Sequence, residues 1–423
     1  MKRYDSYKPS GVSWIPEVPS HWELKQLRAY LKLISYKGHG NKQLLSVTRE
    51  QGVIIRNVDS KVENHNYIPD DLSGYKLIRP GQFAVNKMKS WQGSYGVSKY
   101  EGIVSPAYYV CDLNFPCKEF FSMAIRSKAY IPFFSQMSKG IRVDQWDLST
   151  IALKSIYFAE PPLDEQEAIV SFLYSKTSKI DSYVAERERE LDALEELRQA
   201  EVARVVTQGL NPDVPMRDSG ITWLGKIPAH WEIRKMKFSF KERSEKNHPD
   251  ELKLSATQSH GVIPQTMYED KGNHVVDVNK NFEGLKLVKV GDFVIHLRSF
   301  QGGLAFAHYQ GIISAAYTIL TPIEPEFAQF YKFLFTSHPY IQLLKTCVTG
   351  IREGQNIDYG VLGNQFIPIP PLEEQRAIVD YINSKTSKID GLIADLSAQI
   401  EKLKEYKQRL IADVVTGQID VRK

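Results

Sequence analysis

The chain has 423 residues with a net charge of +4, and this length fits two globular domains better than one. Its three cysteines show no zinc-like spacing, which argues against both a disulfide framework and a metal site. No stretch reaches the roughly 18 apolar residues of a membrane span and no apolar leader follows Met1, so we expect a cytoplasmic protein that does not contact a membrane.

The sequence contains an internal repeat. Ser10–Trp14 followed by Pro19–Glu23 recurs 209 positions later as Ser219–Trp223 followed by Pro228–Glu232. Further pairs at the same offset are Leu45–Thr48 with Leu254–Thr257, Gly52–Ile54 with Gly261–Ile263, Ser175–Asp181 with Ser384–Asp390, and Val205–Thr207 with Val414–Thr416. A duplicated chain is expected to fold with an approximate two-fold axis.

The first part of each copy, residues 1–160 and 210–369, carries short aromatic and β-branched runs broken by Gly and Pro. Such runs predict strands and turns. Residues 1–160 hold 22 Lys and Arg against 14 Asp and Glu. A basic surface suits a phosphate backbone, and an ordinary solvated surface explains the excess equally well.

The second part of each copy, residues 161–209 and 370–423, predicts a long helix. Each starts at a double proline with acidic residues in the first turn, where the helix dipole favours them. The second helix has a seam that, after its first step, alternates steps of four and three: Ile378, Ile382, Thr386, Ile389, Ile393, Leu396, Ile400, Leu403, Lys407, Leu410 and Val414. The equivalent stripe of the first helix becomes charged, so we expect a bend or a change of register near Arg187.

Two such seams favour helices that pack on each other, although each helix could instead pack on its own domain. A helix of about 45 residues is roughly 65–70 Å long, so its two ends lie far apart. Gln208–Pro215 has the chemistry of a helix stop and a linker. We therefore predict an antiparallel pair of helices with one globular domain at each end.

Catalytic motifs are not found in the sequence. It contains neither a phosphate-binding glycine loop, G-x-x-x-x-G-K-[ST] or G-x-G-x-x-G, nor an H-E-x-x-H or G-x-S-x-G motif. The acids of Pro249–Lys253 are adjacent in sequence and lack the separation of a nuclease carboxylate cluster. His21 and His230 repeat beside Trp22 and Trp231, which favours packing at the start of each domain over metal ligation. These observations favour a binding protein.

The two copies differ most in one loop. The offset changes from 210 back to 209 around residues 86–90, and a change of length marks a loop. The candidate DNA-contacting residues of this loop are Lys87, Lys89, Trp91, Gln92, Ser94 and Tyr95 in the first copy, with Arg298 and Gln301 in the second. These residue types reach phosphates and base edges.

A second candidate segment precedes each helix. It contributes Arg142 and Gln145 in the first copy, and Arg352, Gln355 and Asn356 in the second. Because the arginine is common to both copies, it suits a phosphate anchor or a structural ion pair better than a reader of sequence.

The repeated segments resemble the specificity subunit of type I restriction–modification systems. The resemblance rests on Ser10–Trp22 and Ser219–Trp231, on the double-proline segments Pro161–Gln166 and Pro370–Gln375, and on the helix ends Val205–Thr207 and Val414–Gly417, and it covers essentially the whole chain. It implies two target-recognition domains (1–160 and 210–369) that read an asymmetric, bipartite site on double-stranded DNA. Spacer helices 161–209 and 370–423 would connect these domains.

The resemblance also implies partners. Two methyltransferase subunits would dock on the helices, together with ATP-dependent restriction subunits. S-adenosylmethionine, ATP and Mg would then belong to those partners, and this chain would carry no catalytic residue. The fold class predicted overall is α+β, with two α/β domains joined by two long helices in an antiparallel coiled coil. The rival hypothesis is a coiled-coil adaptor that binds proteins and has no DNA specificity.

Overall fold

A computed structural model describes residues 2–12, 14–58, 68–140, 146–258, 260–269, 282–349 and 356–422. The chain forms two compact units. The first consists of Met1–Glu188 with Ala398–Lys423, and the second of Arg189–Ser397. The boundary between the units falls inside both long helices, so each unit contains one globular domain and part of each helix.

The first half of the chain contains fourteen strands and four α-helices within the described residues. The strands are β1 (Tyr7–Val12), β2 (Ile15–Pro19), β3 (Glu23–Gln26), β4 (Leu31–Ile34), β5 (Leu45–Thr48), β6 (Gly52–Ile55), β7 (Lys76–Ile78), β8 (Phe83–Val85), β9 (Tyr95–Val97), β10 (Gly102–Val104), β11 (Tyr109–Leu113), β12 (Ser138–Lys139), β13 (Asp147–Leu148) and β14 (Tyr157–Glu160). The helices are α1 (Lys118–Ile125), α2 (Ile131–Met137), α3 (Thr150–Ser155) and α4 (Leu163–Gln208).

The second half repeats this series. Its strands are β15 (Met216–Asp218), β16 (Lys226–Pro228), β17 (Glu232–Lys235), β18 (Phe240–Arg243), β19 (Leu254–Thr257), β20 (Gly261–Pro264), β21 (Lys286–Val288), β22 (Phe293–Ile295), β23 (Ala305–Phe306), β24 (Gly311–Ile313), β25 (Thr318–Pro322), β26 (Val348–Thr349), β27 (Asn356–Ile357) and β28 (Phe366–Ile369). Its helices are α5 (Gln265–Glu269), α6 (Ser299–Gly302), α7 (Ala328–Leu334), α8 (His338–Thr346), α9 (Tyr359–Leu362) and α10 (Leu372–Val415).

Both domains have the same sheet topology. An antiparallel four-stranded sheet has the order β4-β11-β8-β9 in the first unit and β18-β25-β22-β23 in the second. The small sheets also correspond, since β5 pairs with β6 as β19 pairs with β20, and β14 pairs with β3 as β28 pairs with β17. The internal repeat of the sequence is therefore a repeat of structure, and the predicted α+β fold class is confirmed.

Aromatic side chains fill both cores. In the first unit Phe83, Phe121 and Phe158 are buried, with Phe158 and Phe121 ring centroids 4.8 Å apart. In the second unit Phe240 and Phe293 are buried with centroids 5.7 Å apart. Burying such large apolar rings is a dominant source of core stability, so each domain has an aromatic core of its own.

The long helices pack on each other within each unit. In the first unit the start of α4 lies against the end of α10, and Lys407 Nζ approaches Asp181 Oδ1 to 2.6 Å. In the second unit the end of α4 lies against the start of α10, and Arg198 Nε approaches Asp390 Oδ1 to 2.9 Å. Both contacts join residues of opposite helix ends, which confirms the antiparallel pairing.

Charged seam residues of α4 find partners in α10, and the helix runs unbroken past Arg187. In the second unit Tyr381 Oη donates to Glu201 Oε1 at 2.5 Å. Hydrogen bonds from Arg204 and then from Tyr381 lower the pKa of Glu201 to about 2. The charged part of the first seam is thus a polar contact between helices.

The start of each domain is held by the first turn of a long helix. His21 Nε2 lies 2.8 Å from Glu165 Oε2, and His230 Nε2 lies 2.8 Å from Glu374 Oε2. Tryptophans follow the two histidines, and both are buried. This geometry agrees with the interpretation of the repeated His-Trp segment as packing at the start of the domain.

Candidate nucleic-acid interface

The candidate loop of the first unit is anchored to its domain by a buried serine. Strand β8 ends at Val85, and a short 3-10 helix at Ser90–Gln92 follows. Ser90 is buried, and its hydroxyl donates to the Lys87 carbonyl oxygen at 3.1 Å. The same hydroxyl lies 3.3 Å from the Ser138 hydroxyl. One side of the loop is therefore fixed to the domain.

The other side of the loop carries the polar groups. Lys89 is exposed, and Lys87 Nζ donates to Asp147 Oδ2 at 2.9 Å, which raises the pKa of Lys87. The half-buried Trp91 ring lies 5.3 Å from the Trp146 ring. Loop and β13 thus form one surface with two indoles and two lysines, a combination suited to phosphate and base contacts.

Two candidates of the first loop lie in the core. Ser94 is 2% exposed and Tyr95 is fully buried, with its ring stacked on Phe134 at 3.8 Å. Burial raises the pKa of the Tyr95 hydroxyl, which has no hydrogen-bond partner among the described residues. Because neither side chain reaches the surface, we remove Ser94 and Tyr95 from the candidate DNA contacts. Gln92 is half-buried and remains in that set.

The loop of the second unit has the same plan. Helix α6 begins at Ser299, whose side chain is buried and accepts a hydrogen bond from the His296 backbone N–H at 2.9 Å. Arg298 is exposed, as is Gln301, whose Oε1 accepts a hydrogen bond from Gln258 Nε2 at 3.0 Å. Burial, with a smaller effect of Arg298, lowers the pKa of His296 to about 4.

The length difference between the copies lies inside this loop. Strands β8 and β22 end 210 positions apart, whereas the short helices begin at Ser90 and Ser299, 209 positions apart. Three residues, 87–89, separate Asn86 from Ser90, and two, 297–298, separate His296 from Ser299. The extra residue of the first copy is therefore in the exposed part of the loop.

The second candidate segment falls mainly outside the described residues. Arg142, Gln145, Arg352 and Gln355 lie in the intervals 141–145 and 350–355, which the structure does not describe. The backbone of Asn356 lies in β27 and pairs with Thr349 of β26. Trp146 and Asp147, which directly follow the first interval in sequence, belong to the surface that the Lys87 loop forms.

Each unit also contains a cleft between its domain and the two long helices. The first cleft has a volume of about 1190 Å³ and is bordered by the β5–β6 turn, the turn after β9, α1, α4 and α10. The second has a volume of about 680 Å³ and is bordered by the equivalent elements of the second unit. Gln92 lines the first cleft and the equivalent Gln301 lines the second, so the clefts adjoin the candidate loops.

Apart from Gln92 and Gln301, the cleft residues were not among the sequence-based candidates. Lys99 and Lys128 line the first cleft, and His308 and His338 hold the equivalent places in the second. Their elements come from distant parts of the sequence, so no single motif joins them. The internal repeat could have identified these positions. Lys99 aligns with His308 at offset 209 and Lys128 aligns with His338 at offset 210, so a lysine of the first copy is a histidine in the second at both positions.

The described residues contain neither a candidate metal site nor a membrane-spanning helix. In the part of the chain that the structure describes, no three His, Cys, Asp or Glu side chains gather closely enough to hold a metal ion. Nor does any described helix combine the length and apolar character that crossing a membrane requires.

Comparison with known proteins shows similarity to one family. A family model for the type I restriction modification DNA specificity domain matches residues 233–402. The MjaX specificity subunit of Methanocaldococcus jannaschii is 23% identical over 96% of both chains. The MjaVIII specificity subunit of the same organism is also 23% identical, over 96% of this chain and 94% of its own length. The chain is thus similar to type I restriction–modification specificity subunits over almost its whole length, and residues 233–402 match their DNA specificity domain.

One solved structure has a similar fold. A chain from a structural study of complex assembly and conformational transition in the type I R-M system superposes with a TM-score of 0.65 at 17% identity, covering 95% of this chain and 99% of that one. The matched domain starts in β17 and ends within α10. It therefore includes the second candidate loop and the part of α10 that packs in the second unit.

Proposed function

We propose that the protein is the DNA-reading subunit of a type I restriction–modification complex. Each globular domain contacts one half of a bipartite, asymmetric target on double-stranded DNA. The observation that carries this proposal is the duplicated domain, whose support is the same in both copies while its exposed loop differs in length and side chains. Two readers with a common scaffold and different loops suit a site with two different halves.

The exposed loop residues suit direct contact with DNA. In the first unit Lys89 precedes the short helix that Ser90 anchors and Trp91 lies within it. In the second unit Arg298 and Phe300 hold the equivalent places, and Gln301 follows. Arginine recognises guanine and glutamine recognises adenine in the major groove through paired hydrogen bonds, whereas lysine binds phosphate as a point charge. The two loops thus offer different chemistry to DNA.

The paired helices suit a docking role. Exposed apolar side chains repeat on them, since Tyr183 and Leu392 are equivalent, as are Leu197 and Tyr406. In the proposed complex two methyltransferase subunits bind these helices, and ATP-dependent restriction subunits join them in the cytoplasm. S-adenosylmethionine, ATP and Mg²⁺ then belong to the partner subunits, and this chain supplies recognition without catalysis.

Mapping of modified bases tests the function. Genomic DNA is compared between cells that express the methyltransferase subunit with this chain and cells that express it alone. We expect a gapped, two-part motif that is modified only when the chain is present. A continuous palindrome or an unchanged pattern would contradict the proposal, and an unchanged pattern is what a protein-binding adaptor would give.

Exchange of one domain tests the assignment of half-sites. Residues 1–160 are replaced by the first domain of another family member, and the modified motif is mapped again. Because residues 210–369 are untouched, only one half of the motif is expected to change. A change in both halves would contradict the division into two independent readers.

A further inference from the structure

The cleft of the first unit is lined by more cations than anions. Its basic residues are Arg49, Lys99, Lys118, Arg126, Lys128 and Lys407, and its acidic residues are Glu50 and Glu119. Arg49 Nε pairs with Glu50 Oε1 at 2.7 Å, so one acid is already neutralised by its neighbour. The cleft therefore presents net positive charge to solvent.

Two of these cations have structural roles. The Arg126 guanidinium donates to the carbonyl oxygens of Tyr95 at 2.6 Å and Glu50 at 2.7 Å, and it joins the β5–β6 turn to β9. Lys407 pairs with Asp181 across the helices. Neither group is available for a ligand without loss of a contact that supports the unit.

Lys99 and Lys128 are different. Both side chains are exposed, and among the described residues neither ammonium group has a carboxylate within 4.0 Å. Their backbones are fixed by neighbours, because the Ser98 N–H donates to the Gln82 carbonyl oxygen at 2.8 Å and the Tyr130 N–H to that of Ser127 at 3.0 Å. The ammonium groups of Lys99 and Lys128 thus make no ion pair among the described residues, and they stand on ordered backbone at the rim of the cleft.

The shape of the cleft indicates the class of ligand. A volume of about 1190 Å³ is far larger than one phosphate ion needs, and the free lysines stand on exposed parts of separate elements. Exposed ammonium groups spread along an open groove suit an extended polyanion, whose phosphates need charge more than exact geometry. Gln92 of the candidate loop lies in the same lining, so a strand contacted there is adjacent to the reading loop.

We propose that the cleft of the first unit is a track for the phosphate backbone of duplex DNA, with Lys99 and Lys128 as its contacts. This inference rests on the proposed function. In it the cleft supplies affinity for the DNA backbone, and the loop distinguishes one base sequence from another. The second cleft has His308 and His338 at the same places, and its lining also includes Arg198, Lys332 and Lys345.

Salt dependence of DNA binding tests the proposal. The chain is assembled with its methyltransferase subunits, and Kd is measured between 50 and 200 mM salt on one duplex with the mapped motif and one without it. For Lys99→Gln with Lys128→Gln, the slope of log K against log salt should fall by roughly 2, since each lost phosphate contact removes about 0.9. Both duplexes should lose affinity by the same factor.

Matched variants control for charge and folding. Lys32→Gln with Lys37→Gln removes two exposed lysines of the same unit that do not line the cleft, and it should leave the slope unchanged. Lys99→Arg with Lys128→Arg keeps the charge and should keep the slope. An unchanged slope in the Lys99→Gln and Lys128→Gln variant, or an equal fall in the control pair, would overturn the proposal.

The remaining outcomes separate this inference from the proposed function. If the glutamine variant changes the preferred motif and not the slope, the lysines read bases and the track is refuted. If it loses the methyltransferase subunits and keeps the slope, the cleft binds protein and the track is again refuted. If the unaltered complex itself does not distinguish the two duplexes, the proposed function fails.

Discussion

The two candidate loops stand on the same support but have different residues beneath them. Asn86 follows β8 in the first unit, and His296 follows β22 in the second, both buried. An amide cannot titrate, whereas burial holds the pKa of His296 at about 4. Two copies of one architecture can therefore respond differently to acid, and the difference lies directly under the residues proposed to read DNA.

The largest expected effect concerns this histidine. Its pKa is lowered from 6.5 in the unfolded chain to about 4, so neutral His296 contributes stability above pH 6.5 that is lost as pH falls towards 4. At pH 4.5 the second unit should lose about 2–3 kcal/mol from this group alone. Urea titrations at pH 7 and 4.5, followed by pulsed hydrogen exchange on peptides of each unit, measure the loss.

The matched variant is His296→Asn, which installs the residue of the first copy. It should remove this part of the acid sensitivity and leave the first unit unchanged. If acid destabilised the second unit equally with asparagine and with histidine at position 296, other groups would account for the acid response. The proposed difference between the two loops would then be wrong.

A smaller effect is expected at the domain starts. Trp231 Nε1 donates to Glu374 Oε2 at 3.0 Å, whereas Trp22 Nε1 has no partner among the described residues and Tyr4 donates to Glu165 instead. Trp231→Phe should therefore cost about 1–2 kcal/mol more than Trp22→Phe, because only the former breaks a hydrogen bond to a carboxylate.

Denaturation midpoints of the two phenylalanine variants measure this difference. Both replacements remove the same volume from a buried site, so the two variants lose the same packing energy. The difference between their stabilities then measures the hydrogen bond that only Trp231 makes. Equal losses in the two variants would mean that the indole hydrogen bond contributes nothing to the second unit.

The smallest effect is expected where the copies agree. Asp181 pairs with Lys407 and the equivalent Asp390 pairs with Arg198, and the four side chains are between 30% and 56% exposed. Asp181→Asn and Asp390→Asn should each cost less than about 1 kcal/mol, because solvent screens exposed ion pairs. Thermal unfolding at low and high salt checks this, and a cost of several kcal/mol in either variant would contradict it.

Much of the helical architecture was predictable from local chemistry. The double prolines and first-turn acids predict helices after residues 161 and 370, and α4 and α10 start at Leu163 and Leu372. Gln208 ends α4 as the adjacent glycine predicts. The domain boundaries 1–160 and 210–369 stay predictions, because the compact units divide the chain within the helices.

The site was less predictable because burial is a long-range property. Ser94 and Tyr95 have polar groups in a loop of variable length, yet Tyr95 stacks on Phe134, which lies 39 positions away. Lys99 and Lys128 escaped notice for the converse reason, since their common cleft exists only after the domain packs on the helices. The local sequence predicted which loop differs between the copies, and packing determined which of its side chains face outwards.

The buried serines at the base of the loops, Ser90 and Ser299, have a consequence for evolution. They fix each short helix from inside, while the two residues directly before each of them are exposed and already differ between the copies. Mutations there meet solvent rather than core, so they are nearly neutral for stability. If each loop reads its half of the target as proposed, a lineage acquires new target preferences by drift in one loop and inherits the other half of its target unchanged.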